Sequence, residues 1–158
     1  MGKLEMAAKF YGHCVARTVE AAGITGTFSV FTITGGPITI FNLGVWVSTA
    51  IPSGANTLKF QLTAAGGSAI DLCGATDTAS AGLNQLFVVN GTKGTALVKT
   101  TDVGQLMAGQ TLTSTMPIMV VPGVIKAVFS GGPPATGAIQ IFMEYAPASH
   151  FAQVQINQ

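Results

Sequence analysis

Few side chains in this sequence are of a type that does chemistry, and their spacing assembles no site. His13 and His150, the two imidazoles, lie at opposite ends of the 158-residue chain. With Cys14 and Cys73 they offer metal donors, but no pair follows the CxxC or HxxxH spacing that aims donors at one centre. Serine catalysis lacks a nucleophile elbow to hold a hydroxyl against a base. Asp71 and Asp77 flank a loop of small residues, and two carboxylates fall short of the roughly six to eight oxygens that Ca²⁺ takes. Gly35-Gly36-Pro37 and Gly131-Gly132-Pro133 lack the Lys-Ser/Thr pair and helix start of a phosphate loop. Asn90-Gly91-Thr92 matches a glycosylation triplet, but Met1-Gly2-Lys3-Leu4-Glu5 has no apolar signal core, so the triplet is read as a turn. No catalytic residue, metal site or cofactor is expected, and the chain is read as a non-enzyme. Cys14 and Cys73 are expected to be free thiols, with a disulfide between them left open.

Aromatic residues give one further candidate. Trp46 with Phe41, Phe28 and Phe31 has the make-up of a sugar-stacking platform. These rings fall among apolar strand positions, so core packing is the expected role.

Composition narrows the partners. The chain is 48% hydrophobic and 8% charged, against a usual charged share of roughly 25%. Net charge is +1, and Lys59, Lys93, Lys99 and Lys126 are balanced by Asp71, Asp77, Asp102 and Glu144. Nucleic acid needs a basic footprint, which this balance excludes. No apolar run reaches the roughly 18 residues of a membrane helix, and a sparse aromatic girdle argues against a membrane barrel. A surface this poor in charge is expected to be solvated by Thr, Ser, Asn and Gln and covered by other subunits.

The elements that would position these residues read as strands. Residues 27–50 alternate with a period near two and are rich in β-branched and aromatic types. Gly35-Gly36-Pro37 interrupts them, predicting a hairpin. No Asp, Glu, Lys, Arg or His occurs in residues 21–58, which places that stretch inside a sandwich or a subunit interface. Further strands are expected at residues 58–63, 70–73, 86–89, 96–98, 112–121, 124–129 and 138–145, separated by Gly-, Pro- and Asn-rich turns. Asn90-Gly91 predicts a hairpin between the strands at residues 86–89 and 96–98. The sum is an all-β fold, a β-sandwich or jelly-roll-like barrel of about eight strands with an N-terminal arm or short helix.

Three segments follow: an arm at residues 1–23, a β-sandwich body at 24–147, and a C-terminal tail or edge strand at 148–158. Lys3, Glu5, Lys9, Arg17 and Glu20 concentrate charge in the arm. Leu4, Ala8, Tyr11, Val15 and Val19 recur at three and four, the spacing of a helical face, although an extended arm on a neighbouring subunit fits too. In the tail, Val154 and Ile156 alternate with Gln153 and Gln155, an edge suited to joining a neighbour's sheet. Leu4, Lys9, Tyr11, Val15, Arg17, Val19, Val154 and Ile156 are the candidate partner-binding residues.

Phe31-Thr32-Ile33-Thr34-Gly35-Gly36-Pro37-Ile38, the strand Gly44-Val45-Trp46-Val47, and residues 136–147 (TGAIQIFMEYAP) resemble small virion structural proteins of tailed bacteriophages, among them head-decoration, or cement, proteins. The resemblance spans most of residues 24–147. It implies a virion protein made in the host cytoplasm and placed on the capsid surface. Its partners would be the major capsid protein and itself, as a homo-oligomer, commonly a trimer, with no cofactor, nucleic acid or membrane. Tail, neck and fibre proteins share this composition, so a glycan-binding module on a tail or fibre is the alternative.

Overall fold

The computed structural model describes residues 13–52, 56–99 and 116–158. Among these described residues, twelve strands form two antiparallel sheets. They are β1 (His13–Glu20), β2 (Thr27–Thr34), β3 (Ile38–Thr49), β4 (Thr57–Ala64), β5 (Ala69–Asp71), β6 (Thr76–Asp77), β7 (Leu86–Val88), β8 (Val98–Lys99), β9 (Ile118–Val120), β10 (Gly123–Ser130), β11 (Ala138–Pro147) and β12 (Gln153–Ile156). One sheet has the order β1-β11-β3-β7-β8, with β9 also on β3; the other has the order β12-β2-β10-β4-β5, with β6 also on β4.

The pairing is nested. β1 pairs with β11, β2 with β10, β3 with β7 and β4 with β5, all antiparallel. Successive pairs fall in alternate sheets, as when a long two-stranded ribbon is rolled up. This is a jelly roll, two Greek keys packed face to face. The expected all-β sandwich is therefore present, with short added strands beyond the eight of the roll.

Side-chain alternation decides which face is inside. In β4, Leu58, Phe60 and Leu62 are buried while Lys59, Gln61 and Thr63 lie on the other face. β11 does the same with Ile139, Ile141, Met143 and Tyr145. β3 needs a correction to its alternation, because Ile38 and Ile40 are even and Leu43, Val45 and Val47 are odd. A bulge resolves the conflict: Glu144 opposes Asn42 but Tyr145 opposes Ile40, leaving Phe41 unpaired. The extra residue flips the parity, so all five apolar side chains point inward. Phe31, Phe60 and Phe87 are the largest fully buried side chains between the sheets.

Three expectations change. Residues 27–50 do not form a hairpin: β2 and β3 lie in different sheets. The turn at Gly35-Gly36-Pro37 carries the chain from one sheet to the other. Gly35 has φ 75°, and a Cβ there would lie 1.9 Å from the Phe151 carbonyl oxygen. Both runs bury a full face, so each belongs to a sheet of its own packed against the other.

Residues 13–20 are neither helix nor a free arm, but the edge strand β1 in register with β11 from His13↔Tyr145 to Glu20↔Ala138. The β body thus extends N-terminal of the expected boundary at Gly23, and a 3₁₀ turn at Ala21–Gly23 leads into the next strand. The spacing of four from Val15 to Val19 is even, so it satisfies one face of a strand as well as one face of a helix. Finally, β12 pairs with β2 of its own chain, from Gln153↔Thr34 to Ile156↔Phe31. Its hydrogen-bonding edge is half used within the subunit.

One end of the roll is tied by a single residue. Asn56 is buried, and its Nδ2 donates to the carbonyls of Ile24 at 3.0 Å and Gly132 at 3.3 Å. Its main-chain carbonyl accepts from the Thr78 amide at 2.9 Å and the Thr78 hydroxyl at 3.0 Å. Four connections, those entering β2, β4, β7 and β11, are held together there. Asn56→Ala removes a donor from two carbonyls and should cost about 1–3 kcal/mol, read as a lower urea midpoint with an unchanged slope. An unaltered midpoint would show that these carbonyls are satisfied without Asn56.

Candidate functional site

β1 ends one sheet and β12 ends the other, and the two edges lie on the same side of the roll. Between them is an open cleft of about 410 Å³ lined by Ala16, Arg17, Thr18, Ile156 and Gln158. Strand alternation puts Val15, Arg17 and Val19 on the inward face of β1. Val19 is buried and Val15 packs against the core. Arg17 lies between them, and a guanidinium costs too much to bury unpaired, so its long stem carries the charge across the seam. There Nη1 donates to the Ser29 carbonyl at 2.5 Å. The guanidinium carbon sits 4.8 Å from the centroid of the Phe28 ring, a cation–π contact. Phe28 in turn stacks on Phe129 at 5.9 Å.

The Ser29 carbonyl lies just past the stretch of β2 that β12 pairs, which ends at Ile156↔Phe31. The Asn157 amide donates to the Val30 carbonyl at 2.9 Å, beyond the last residue of β12. Arg17 donates to the carbonyl of the neighbouring residue, Ser29. The ion pair found among the described residues is Lys59–Asp71 at 3.1 Å, on the far side of the sheet from β12. Arg17 has no carboxylate partner among the described residues.

The candidate residues thus divide. Arg17 and Ile156 meet in the cleft, with Ile156 43% exposed. Val15 and Val154 are partly buried against the core, and Val19 is part of it. Leu4, Lys9 and Tyr11 lie outside the described residues. His13 stacks on Tyr145 with ring centroids 5.4 Å apart. Burial raises the Tyr145 phenol above its ordinary pKa, against a hydrogen bond with the Val154 backbone. His150 contacts Phe151 edge-on.

Two features of the surface differ from or add to the sequence reading. Phe41 and Trp46, expected in the core, are on the outer face of their sheet. Phe41 is exposed at the bulge, and the half-exposed Trp46 donates from Nε1 to Asn84 Oδ1 at 3.2 Å. Phe31 is in the core and Phe28 half-buried beside it, as expected. Second, among the described residues the most exposed large apolar side chains lie at the end of the roll opposite Asn56. Phe151 is 74%, Met119 70% and Val121 52% exposed. The Ala148 amide donates to the Pro37 carbonyl, and the Ala65 amide to the Pro122 carbonyl. β9 runs beside the start of β3, Met119 opposite Thr39. The turns at residues 34–38, 64–69, 121–124 and 147–152 contain no Asp, Glu, Lys or Arg. Met119 is on the three-residue strand β9 and Val121 and Phe151 lie in loops, too short a pattern for periodicity, so only pairings between distant segments reveal this surface.

Among the described residues no group of three His, Cys, Asp or Glu could hold a metal, and no helix is long and apolar enough to cross a membrane. Cys14 is exposed and Cys73 buried, both as free thiols. Asp71 is held below the usual carboxylate range by hydrogen bonds from Gln61 at 2.6 Å and Lys59.

No family model matches the chain, and no curated protein matches it. A solved structure of infectious bursal disease virus, Gx strain, is similar at a TM-score of 0.28 and 11% identity, over 91% of this chain and 39% of that one. A superposition so loose carries no inference about function.

Burial pushes the Cys73 thiol up from 9.0 to about 11, although the Phe60 amide donates to its sulfur at 3.2 Å. The folded state holds the neutral thiol, so its contribution to stability is complete below pH 9 and is lost as pH rises towards 11. Cys73→Ala should flatten part of the fall in urea midpoint over that window relative to the native chain. Identical pH profiles would refute the assignment.

Proposed function

We propose that this chain is a structural protein of a virus particle, a decoration or cement protein that binds a capsid lattice and its own copies. The observation that carries the reading is the end of the roll where Phe151, Met119 and Val121 are exposed beside the described turns at 34–38, 64–69, 121–124 and 147–152, which hold no Asp, Glu, Lys or Arg. Exposed apolar residues that cluster mark protein contact surfaces, and the cores of such contacts are depleted in charge. The jelly roll is compatible, since capsid and lectin domains both use it, and a fold by itself does not assign function. The sequence resemblance to phage virion proteins points the same way. A homotrimer on the capsid surface, bridging major capsid subunits, is the arrangement we favour, with no catalytic activity.

One observation favours a second reading. Trp46 presents a half-exposed indole on the outer face, oriented by Asn84, with Phe41 on the same strand. A ring held by an amide is suited to stacking on a sugar, as in a glycan-binding module on a tail or fibre.

Stoichiometry separates the two. A cement protein should be present in hundreds of copies per purified particle, on the shell by electron microscopy; a few copies at the tail would favour the glycan reading, as would quenching of the Trp46 fluorescence by host glycans. Exposure of the apolar end makes a further demand. The double variant Phe151→Ser, Met119→Ser should leave the unfolding free energy within about 0.5–1 kcal/mol of native. It should nevertheless reduce self-association in sedimentation, and unchanged sedimentation would remove that end from the contact.

A further inference from the structure

We infer that the seam between β1 and β12 is a docking site for an extended, carboxylate-bearing segment of the partner lattice, which adds as a strand to β1 and pairs its acid with Arg17. The inference rests on the lattice-binding reading and names the chemistry of the contact.

Three observations converge on one occupant. Among the described residues β1 is the last strand of its sheet, so on the side away from β11 no described strand pairs with its alternate N–H and C=O groups. β12 likewise ends its sheet, and the cleft of about 410 Å³ lies between the two edges. An extended backbone satisfies such an edge by hydrogen bonds that read no sequence. Specificity must come from side chains in the cleft, and the charged one there is Arg17.

Arg17 is poised for an acid. One nitrogen is engaged by the Ser29 carbonyl and one ring face by Phe28, which fix the guanidinium without neutralising it. No carboxylate among the described residues meets it. Glu20 and Glu144 lie elsewhere: Glu144 pairs in register with Cys14, on the face opposite to Arg17, and Glu20 alternates onto that same face. A planar fork of donors already oriented loses little entropy when a carboxylate arrives. The other lining side chains, those of Ala16, Thr18, Ile156 and Gln158, add apolar contact, a hydroxyl and an amide but no charge of their own. A basic segment would meet the guanidinium with like charge, so it is disfavoured.

The test uses the full chain and particles stripped of the native protein. Native protein should bind with an affinity that falls as NaCl rises, because an exposed ion pair is screened. Arg17→Gln should bind at least about tenfold more weakly, and most of the salt dependence should vanish with it. Ile156→Glu supplies a carboxylate from the opposite wall and should lose binding to a similar extent. Ile156 is exposed, so this variant keeps its fold if Arg17→Gln does not. Amide exchange of bound native protein should show new protection in β1. Full binding by Ile156→Glu, or by a folded Arg17→Gln, with native protein bound, overturns the inference and leaves the lattice reading standing. Binding without protection in β1 overturns strand addition. Failure of native protein to bind the stripped particles overturns both.

Discussion

The hydrogen-bond ladder between β3 and β11 is the constraint from which the remaining structure follows. It runs from Ala138↔Thr49 to Pro147↔Ile38, and bulges interrupt it at two places. β11 also carries β1, and β3 also carries β7 and β9, so this pair fixes the position of every other strand in its sheet. The bulge at Phe41 lets a strand of broken alternation bury five apolar side chains at once. Without that added residue, Asn42 would face the core and Leu43 the solvent, an exchange that backbone pairing cannot repay. Gly44 is part of the same adjustment. A Cβ there would lie 2.5 Å from the Phe87 carbonyl oxygen and 3.0 Å from the Phe142 ring.

Strand alternation was legible wherever one face of a strand is wet. Residues 58–63 and 138–145 announced themselves because Lys59, Gln61, Gln140 and Glu144 mark the outer face. Asn90-Gly91 gave the hairpin of β7 and β8, with Phe87 opposite Lys99. Partnering was less legible, since alternation names the buried face of a strand but not the sheet that it joins. The Gly35-Gly36-Pro37 turn therefore suggested a hairpin where the chain crosses between sheets. β1 was obscured for another reason. Val15 and Val19 keep the even spacing that a strand and a helix share, and Tyr11 added the odd step of a helix. β6, two residues long on β4, has no periodicity to detect.

The candidate site was legible in its residues and not in its geometry. Arg17 and Ile156 drew notice as a charge in an arm and an apolar residue in a polar tail. That they face each other across one cleft depends on β1 and β12 ending different sheets, a consequence of long-range pairing. The outward placement of Phe41 and Trp46 likewise depends on the bulge and on register. The same aromatic residues in a strand without a bulge would read, and pack, as core.

Nested pairing also imposes an order in time. Val19 of β1 pairs with Ile139, 120 residues later in the chain. At the roughly 5–20 residues per second of synthesis, β1 waits on the order of 6–24 s before its partner leaves the ribosome. Pairings between remote segments are slow to form in any case, because loop closure precedes the contacts that reward it. β4 and β5, joined by one short turn, can pair almost as soon as they emerge. Assembly of the roll therefore proceeds from the middle of the chain outward, and the strand that borders the cleft is among the last to be secured.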